Sequence, residues 1–166
     1  ELTLTNSGGD GLELVGSETT VDVLRCVVKN CAYAGMHVGK DATVTATQCH
    51  FMENGHSGVF CDGRNTKVRL NDCTMHHNGM DGLAEYEGAV VDLHGTKTDI
   101  YSNKGHGIKA IIYAKVNIHL PSQHNTTHDN AENNRYQDDG GSIANINADG
   151  TFTYVIVDDE EDDDFI

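Results

Sequence analysis

Ten histidines in 166 residues put imidazoles beside carboxylates and phenols at several points of the chain. His50, His56, His76, His77 and His106 fall among Glu53, Asp81, Asp99 and Tyr101. Imidazole titrates near neutral pH, and beside a carboxylate it can pass a proton or hold a divalent metal. Asp81, His106, His77 and Glu85 are therefore the candidate acid–base groups. His56, His76, Tyr101, Asp99 and Arg69 are the candidate ligand-binding groups. Tight chelating spacings such as HxH or HExxH are absent, so no metal centre is expected. Arg69 with Asp92 and Asp72 makes a possible trio, but an exposed ion pair of this kind is worth under about 1 kcal/mol. The five cysteines, Cys26, Cys31, Cys49, Cys61 and Cys73, form no CxxC pair, which argues against zinc. Their odd number argues against a disulfide framework, and unpaired thiols lean toward a reducing, intracellular setting.

Charge narrows the partners. The formal net charge is −15, and seven of the 26 acids lie in the run 158–164. The remaining acids still outnumber the 11 lysines and arginines. Nucleic acid is excluded, because phosphate binding needs clustered cations. No run of 18 apolar residues exists, so no segment reads as a membrane-spanning helix. The acidic run reads as a solvated, self-repelling tail over 158–166. The first residues have neither a basic flank nor an apolar stretch, so they are no signal peptide.

The elements that must position these groups emerge from an internal repeat. Gly11, Gly35, Gly58, Gly82 and Gly107 are spaced 24, 23, 24 and 25 apart. Each is followed by an apolar residue: Leu12, Met36, Val59, Leu83 and Ile108. An alternating pair comes next: Val21 and Val23, Val44 and Ala46, Val68 and Leu70, Val91 and Leu93, Val116 and Ile118. Such alternation is the period of a strand with one buried face. Cys26, Cys49 and Cys73 follow in phase, with Thr98 in their place one coil later, and read as an inert internal row. Val28, Phe51, Met75 and Ile100 come two residues after them. Asn30, Asn54, Asn78 and Asn103 close the coils, spaced 24, 24 and 25, and suit an amide ladder at a turn. No segment sustains a 3.6 period. One coil cannot bury its own apolar face, but stacked coils align like residues about 4.8 Å apart. The repeat therefore predicts an all-β, single-stranded, right-handed parallel β-helix of about six coils.

Threading the repeat sorts the candidate residues into rows. Ser57, Asp81 and His106 share one, just before the opening glycines. Glu53 and His77 share another, as do His76 and Tyr101, and His50 and Asp99. Arg69 faces outward opposite Asp92. Glu85 falls in the row of Leu14, Val38, Cys61 and Ala110, which should point inward. A local register change in AEYEG, turning Glu85 out, is the simpler expectation, because a buried carboxylate is costly. With no Trp, the aromatics available to a sugar are Tyr33, Phe60, Tyr86, Tyr101 and Tyr113.

The repeat starts partway through a coil, since Leu2, Leu4 and Asn6 align with Cys26, Val28 and Asn30. Something upstream is expected to cap it. Residues 121–140 break the pattern as a polar loop that contains the sequon Asn125-Thr126-Thr127. From Gly141 the chain is expected to form a last coil whose final strand is TFTYVIV. One β-helix domain over 1–157 and an acidic tail over 158–166 are the expected organisation.

Units such as NCAYAGMHVGKDATVTATQCHFMEN and NGHSGVFCDGRNTKVRLNDCTMHHN resemble the parallel β-helix repeat family. That family includes periplasmic copper-site maturation proteins, carbohydrate-binding and sugar-hydrolysis modules, and the β-helix of F-box-type ubiquitin ligase adaptors. The resemblance implies a right-handed β-helix. For function it implies either a non-catalytic module offering a lateral face to a protein or glycan, or a carbohydrate-active lyase, epimerase or hydrolase. The non-catalytic reading is the expectation taken here, with the enzyme as its rival. A structural component stacking end to end is the third reading. No cofactor is expected, except calcium if the ligand is a polyuronate, which the acidic body would otherwise repel.

Overall fold

The computed structural model describes residues 2–5, 8–119 and 126–154. The chain winds through three parallel sheets, visiting each once per coil for six coils. The first sheet holds β1 (Leu2–Thr5), β4 (Cys26–Lys29), β7 (His50–Met52), β10 (Thr74–His76), β13 (Asp99–Tyr101) and β16 (Thr127–His128). The second holds β2 (Leu12–Val15), β5 (Met36–Gly39), β8 (Val59–Cys61), β11 (Leu83–Glu85), β14 (Ile108–Ile111) and β17 (Arg135–Asp138). The third holds β3 (Thr20–Leu24), β6 (Thr43–Thr47), β9 (Lys67–Asn71), β12 (Val90–His94), β15 (Lys115–Ile118), β18 (Ser142–Ile146) and β19 (Phe152–Tyr154). The register stacks the repeat as its spacing requires: Met36, Val59, Leu83 and Ile108 align in the second sheet, and Val44, Val68, Val91 and Val116 in the third. Cys49 and Cys73 are fully buried, and Thr98 fills their row one coil later. All five thiols are free.

The corners divide labour between two backbone solutions. Arg25, Gln48 and Asp72 turn the chain from third sheet to first, and Asn30, Glu53, His77, Ser102 and Asp129 turn it away from the first sheet, all with φ between 50° and 57°. These left-handed corners carry side chains, at a cost of roughly 1 kcal/mol each that the stacked coils offset. The recurring glycines do a different job: a Cβ on Gly82 would stand 2.3 Å from Ile100 Cγ2 and 2.8 Å from Gly107 O. Glycine is there because neighbouring coils approach too closely for any side chain.

Three sequence expectations change. First, Asn30 lies outside the amide ladder. Lys29 pairs with Met52, which puts Cys31 opposite Asn54, and Cys31 N–H donates to Asn54 Oδ1 at 3.1 Å. The ladder runs through Asn54, Asn78, Asn103 and Asn130, with amide-to-amide bonds of 3.1, 2.9 and 2.9 Å. Second, the described part of the expected 121–140 loop is a regular coil: β16 pairs with β13, β17 with β14, and Asn130 extends the ladder. Its inward positions hold polar residues, which hid it from the apolar pattern. Arg135 Nε donates to Thr127 Oγ1 at 3.1 Å, and Ile143 N–H donates to Gln137 Oε1 at 2.9 Å. Third, the final strand does not add another parallel rung. β19 folds back antiparallel on β18, covering the end of the third sheet. Asn6, Pro121, Asn125 and the acidic tail lie outside the described residues.

Glu85 is a further correction. No register change occurs: Glu85 pairs with Cys61 on one side and Ala110 on the other. Its side chain is fully buried, and neither carboxylate oxygen has a hydrogen-bond partner. The ladder of backbone bonds on both sides fixes the pleat, so the strand cannot rotate one residue without turning Leu83 outward as well.

Candidate functional site

Each sheet has an outward face, and the four candidate acid–base residues do not converge on any one of them. Asp81 and His106 are adjacent, but Asp81 Oδ1 accepts the backbone N–H of His106 at 2.8 Å and does not reach its ring. The same device recurs along the row: Asp10 Oδ1 accepts Ala34 N–H at 2.8 Å, and His106 Nδ1 accepts Asn133 N–H at 3.2 Å. This row stitches one coil to the next. His106 also pairs through Nε2 with Glu132 at 2.9 Å and stacks on Tyr136 with centroids 4.6 Å apart. His77 belongs to the first sheet's corner, 2.8 Å from His76 Nδ1. Glu85 is inside the core. Burial pushes its carboxyl well above the usual range, and the Asp92 charge adds to the shift.

The candidate ligand-binding residues divide among all three faces. On the first sheet His76, Tyr101 and His128 stack in register, with centroids 4.8 and 5.3 Å apart. Asp99 meets His128 Nε2 at 3.2 Å. Bonds to Asp129 and Asp99 hold the His128 imidazolium above its ordinary pKa, while burial and the His77 charge lower that of His76. Arg69 lies on the third sheet. It stands opposite Asp92 in register, yet its guanidinium bonds His94 Nε2 at 3.0 Å, so the expected arginine–carboxylate trio does not form. Asp72 instead accepts Lys97 N–H at 3.1 Å.

His56 lies in a concave site. Along the second sheet a groove of about 400 Å³ is lined by Tyr33, His37, His56, Phe60, Asp81 and Tyr86, among others. The register makes this groove: His37, Phe60 and Ala84 occupy one outward row of β5, β8 and β11. Ala84, being small, leaves room beside Phe60. The ring of Phe60 lies 5.1 Å from His37 and 5.4 Å from Tyr86, while Tyr33 meets His56 edge-on at 5.1 Å. His37 sits between two acids, Asp10 at 3.7 Å and Asp62 at 3.5 Å. Burial raises the Asp81 carboxyl above its ordinary pKa, against the lowering effect of the bond from His106 N–H. Apolar ring faces beside hydrogen-bonding carboxylates and imidazoles can hold a ligand that is apolar on one side and hydroxylated on its edges.

His37, Glu132 and Tyr136 were not singled out by sequence reasoning. His37 was legible in principle, because it shares the outward row with Phe60. Tyr136 was not, because the inward positions of its strand are polar and carry no apolar period. The third sheet adds Asp92, His94 and His119, whose donor atoms lie within 4.8 Å of one another. The pattern DxH with a histidine 25 residues after it was visible, but only the register shows that the next coil returns to the same place.

The model of the family described as right-handed β-helix region matches residues 1–126. No curated protein and no solved structure matches the chain.

Proposed function

We propose, for a chain that belongs to the right-handed β-helix family, that its coils form a rigid recognition module that binds a neutral glycan along the second sheet. One observation carries this reading: the groove in which Tyr33, Phe60 and Tyr86 present ring faces within reach of Asp10, His37, His56 and Asp81. Rings stack on the C–H face of a pyranose, and carboxylates and imidazoles accept or donate to its hydroxyls. Several coils contribute to the groove, so a linear polymer with repeating units matches its repeating wall. The surrounding acids disfavour a polyuronate, which would meet Asp10, Asp62 and Asp81 as like charges.

The test is calorimetric titration with a panel of neutral and acidic oligosaccharides. Tyr33→Ala and Phe60→Ala are expected to weaken neutral-glycan binding about tenfold each, a ring being worth roughly 1 kcal/mol beyond its area. Binding of no oligosaccharide, with a protein captured through the same groove instead, would reject the glycan and keep the module. The enzymatic reading draws on one specific observation, the buried Asp81 carboxyl with its raised pKa at the groove wall. Product release from an oligosaccharide that disappears in Asp81→Asn would favour it.

A further inference from the structure

On the outer face of the third sheet, β12 carries Asp92 and His94 two residues apart, so both side chains leave the strand on one side. Strand β15 pairs beside it with Ile118 opposite Leu93, which brings His119 next to His94. The two imidazoles lie parallel, with centroids 4.2 Å apart and planes 7° from each other. His119 Nε2 stands 3.1 Å from Asp92 Oδ1. We infer that Asp92, His94 and His119 form a binding site for a first-row divalent transition ion such as Zn²⁺, on a face separate from the groove.

The geometry is close to that of a coordination sphere. Two donors bound to zinc at about 2.0–2.1 Å in a tetrahedral array stand about 3.3 Å apart. The Asp92–His119 pair is already at that bite. The third donor lies within 4.8 Å of both; completing the set takes a closure of at most about 1.5 Å together with a turn of one imidazole out of the parallel stack, because the ion lies in the plane of each ring it binds. Two imidazoles with one carboxylate suit Zn²⁺, Co²⁺, Ni²⁺ or Cu²⁺, whereas Ca²⁺ and Mg²⁺ prefer all-oxygen sites. The ion takes the place of the direct His119 Nε2–Asp92 Oδ1 contact: His119 binds as neutral imidazole with its proton on Nδ1, and any proton carried on Nε2 leaves to solvent. Asn117 Nδ2 donates to Asp92 Oδ1 at 2.9 Å, an outer contact that holds the carboxylate in place. All three ligands sit on or beside strands inside the third sheet, so the backbone is fixed before any ion arrives. Arg69 is the opposing element: its guanidinium donates to His94 Nε2 at 3.0 Å, occupying that lone pair and repelling a cation.

The experiment is calorimetric titration of the whole chain with Zn²⁺, with Mg²⁺ and Ca²⁺ in excess to occupy carboxylate-only positions. One ion per chain is expected at this site. His119→Ala and Asp92→Asn should each weaken it by about tenfold or more. Arg69→Ala should tighten it. These side chains face outward, so the variants should melt like the parent. A control, His76→Ala with His77→Ala, should leave binding unchanged. Parental affinity in His94→Ala with His119→Ala would overturn the assignment, as would loss of binding in the control.

Discussion

Replacing Glu85 with glutamine should make the protein's stability less dependent on pH, with a magnitude set by the ladder. The carboxyl is fully buried between Cys61 and Ala110, with no hydrogen-bond partner for either oxygen. Folding therefore requires it to be protonated, and its pKa in the fold is pushed well above the usual value. An unfolded glutamate ionises near pH 4.3. Below that pH both states hold the proton, and the parent and the Glu85→Gln variant should be about equally stable. Above it the unfolded state alone gives up its proton, so the contribution is lost as pH rises toward the folded pKa. As pH rises above about 4.3 the parent should therefore lose stability relative to Glu85→Gln, by at most about 1.4 kcal/mol per pH unit until the folded carboxyl itself titrates. Urea unfolding of both proteins from acid to neutral pH measures the difference directly. Other titrating groups are common to both chains and cancel. A constant difference at every pH would refute the reasoning, because it would mean that folding leaves the proton occupancy of Glu85 unchanged. Glu85→Leu, which restores the residue type of Leu14 in the same row, should raise stability at neutral pH by about 2 kcal/mol or more.

Three other outcomes follow from the core and corners. Asn78→Ala should cost about 2–4 kcal/mol in urea unfolding, because it leaves Phe51 O and Asn54 N–H buried without their partner. Gly82→Ala should cost about 1–3 kcal/mol or more by the same measurement, since one of the atoms in the way, Gly107 O, is backbone. Cys61 should resist iodoacetamide in the folded protein and react on unfolding, with burial pushing its thiol up. Mass spectrometry of the alkylated chain would read this, and rapid native modification would contradict it.

The sequence by itself determined the coil. Apolar residues recurring about every 24 positions, with glycines and asparagines in phase, have one economical solution: parallel stacking that buries each coil on its neighbours. The Cys49–Cys73–Thr98 row, the inward valines of the third sheet and most of the amide ladder were legible for that reason. The first two strands of the sixth coil were not, because Thr127, Arg135 and Gln137 stand where apolar residues stood before, and hydrophobic periodicity cannot register a row held by hydrogen bonds. Asn30 was misplaced by a single residue, since a spacing of 24 and one of 23 look alike until Lys29 is paired with Met52. Sites were harder still. Asp81 and His106 do share a row, but which atom meets which decides between a catalytic pair and a stitch between coils, and it is the His106 backbone that Asp81 binds. The groove and the Asp92–His94–His119 cluster join residues from different coils. Their assembly depends on lateral register and side-chain direction, quantities that exist only once the coils are stacked.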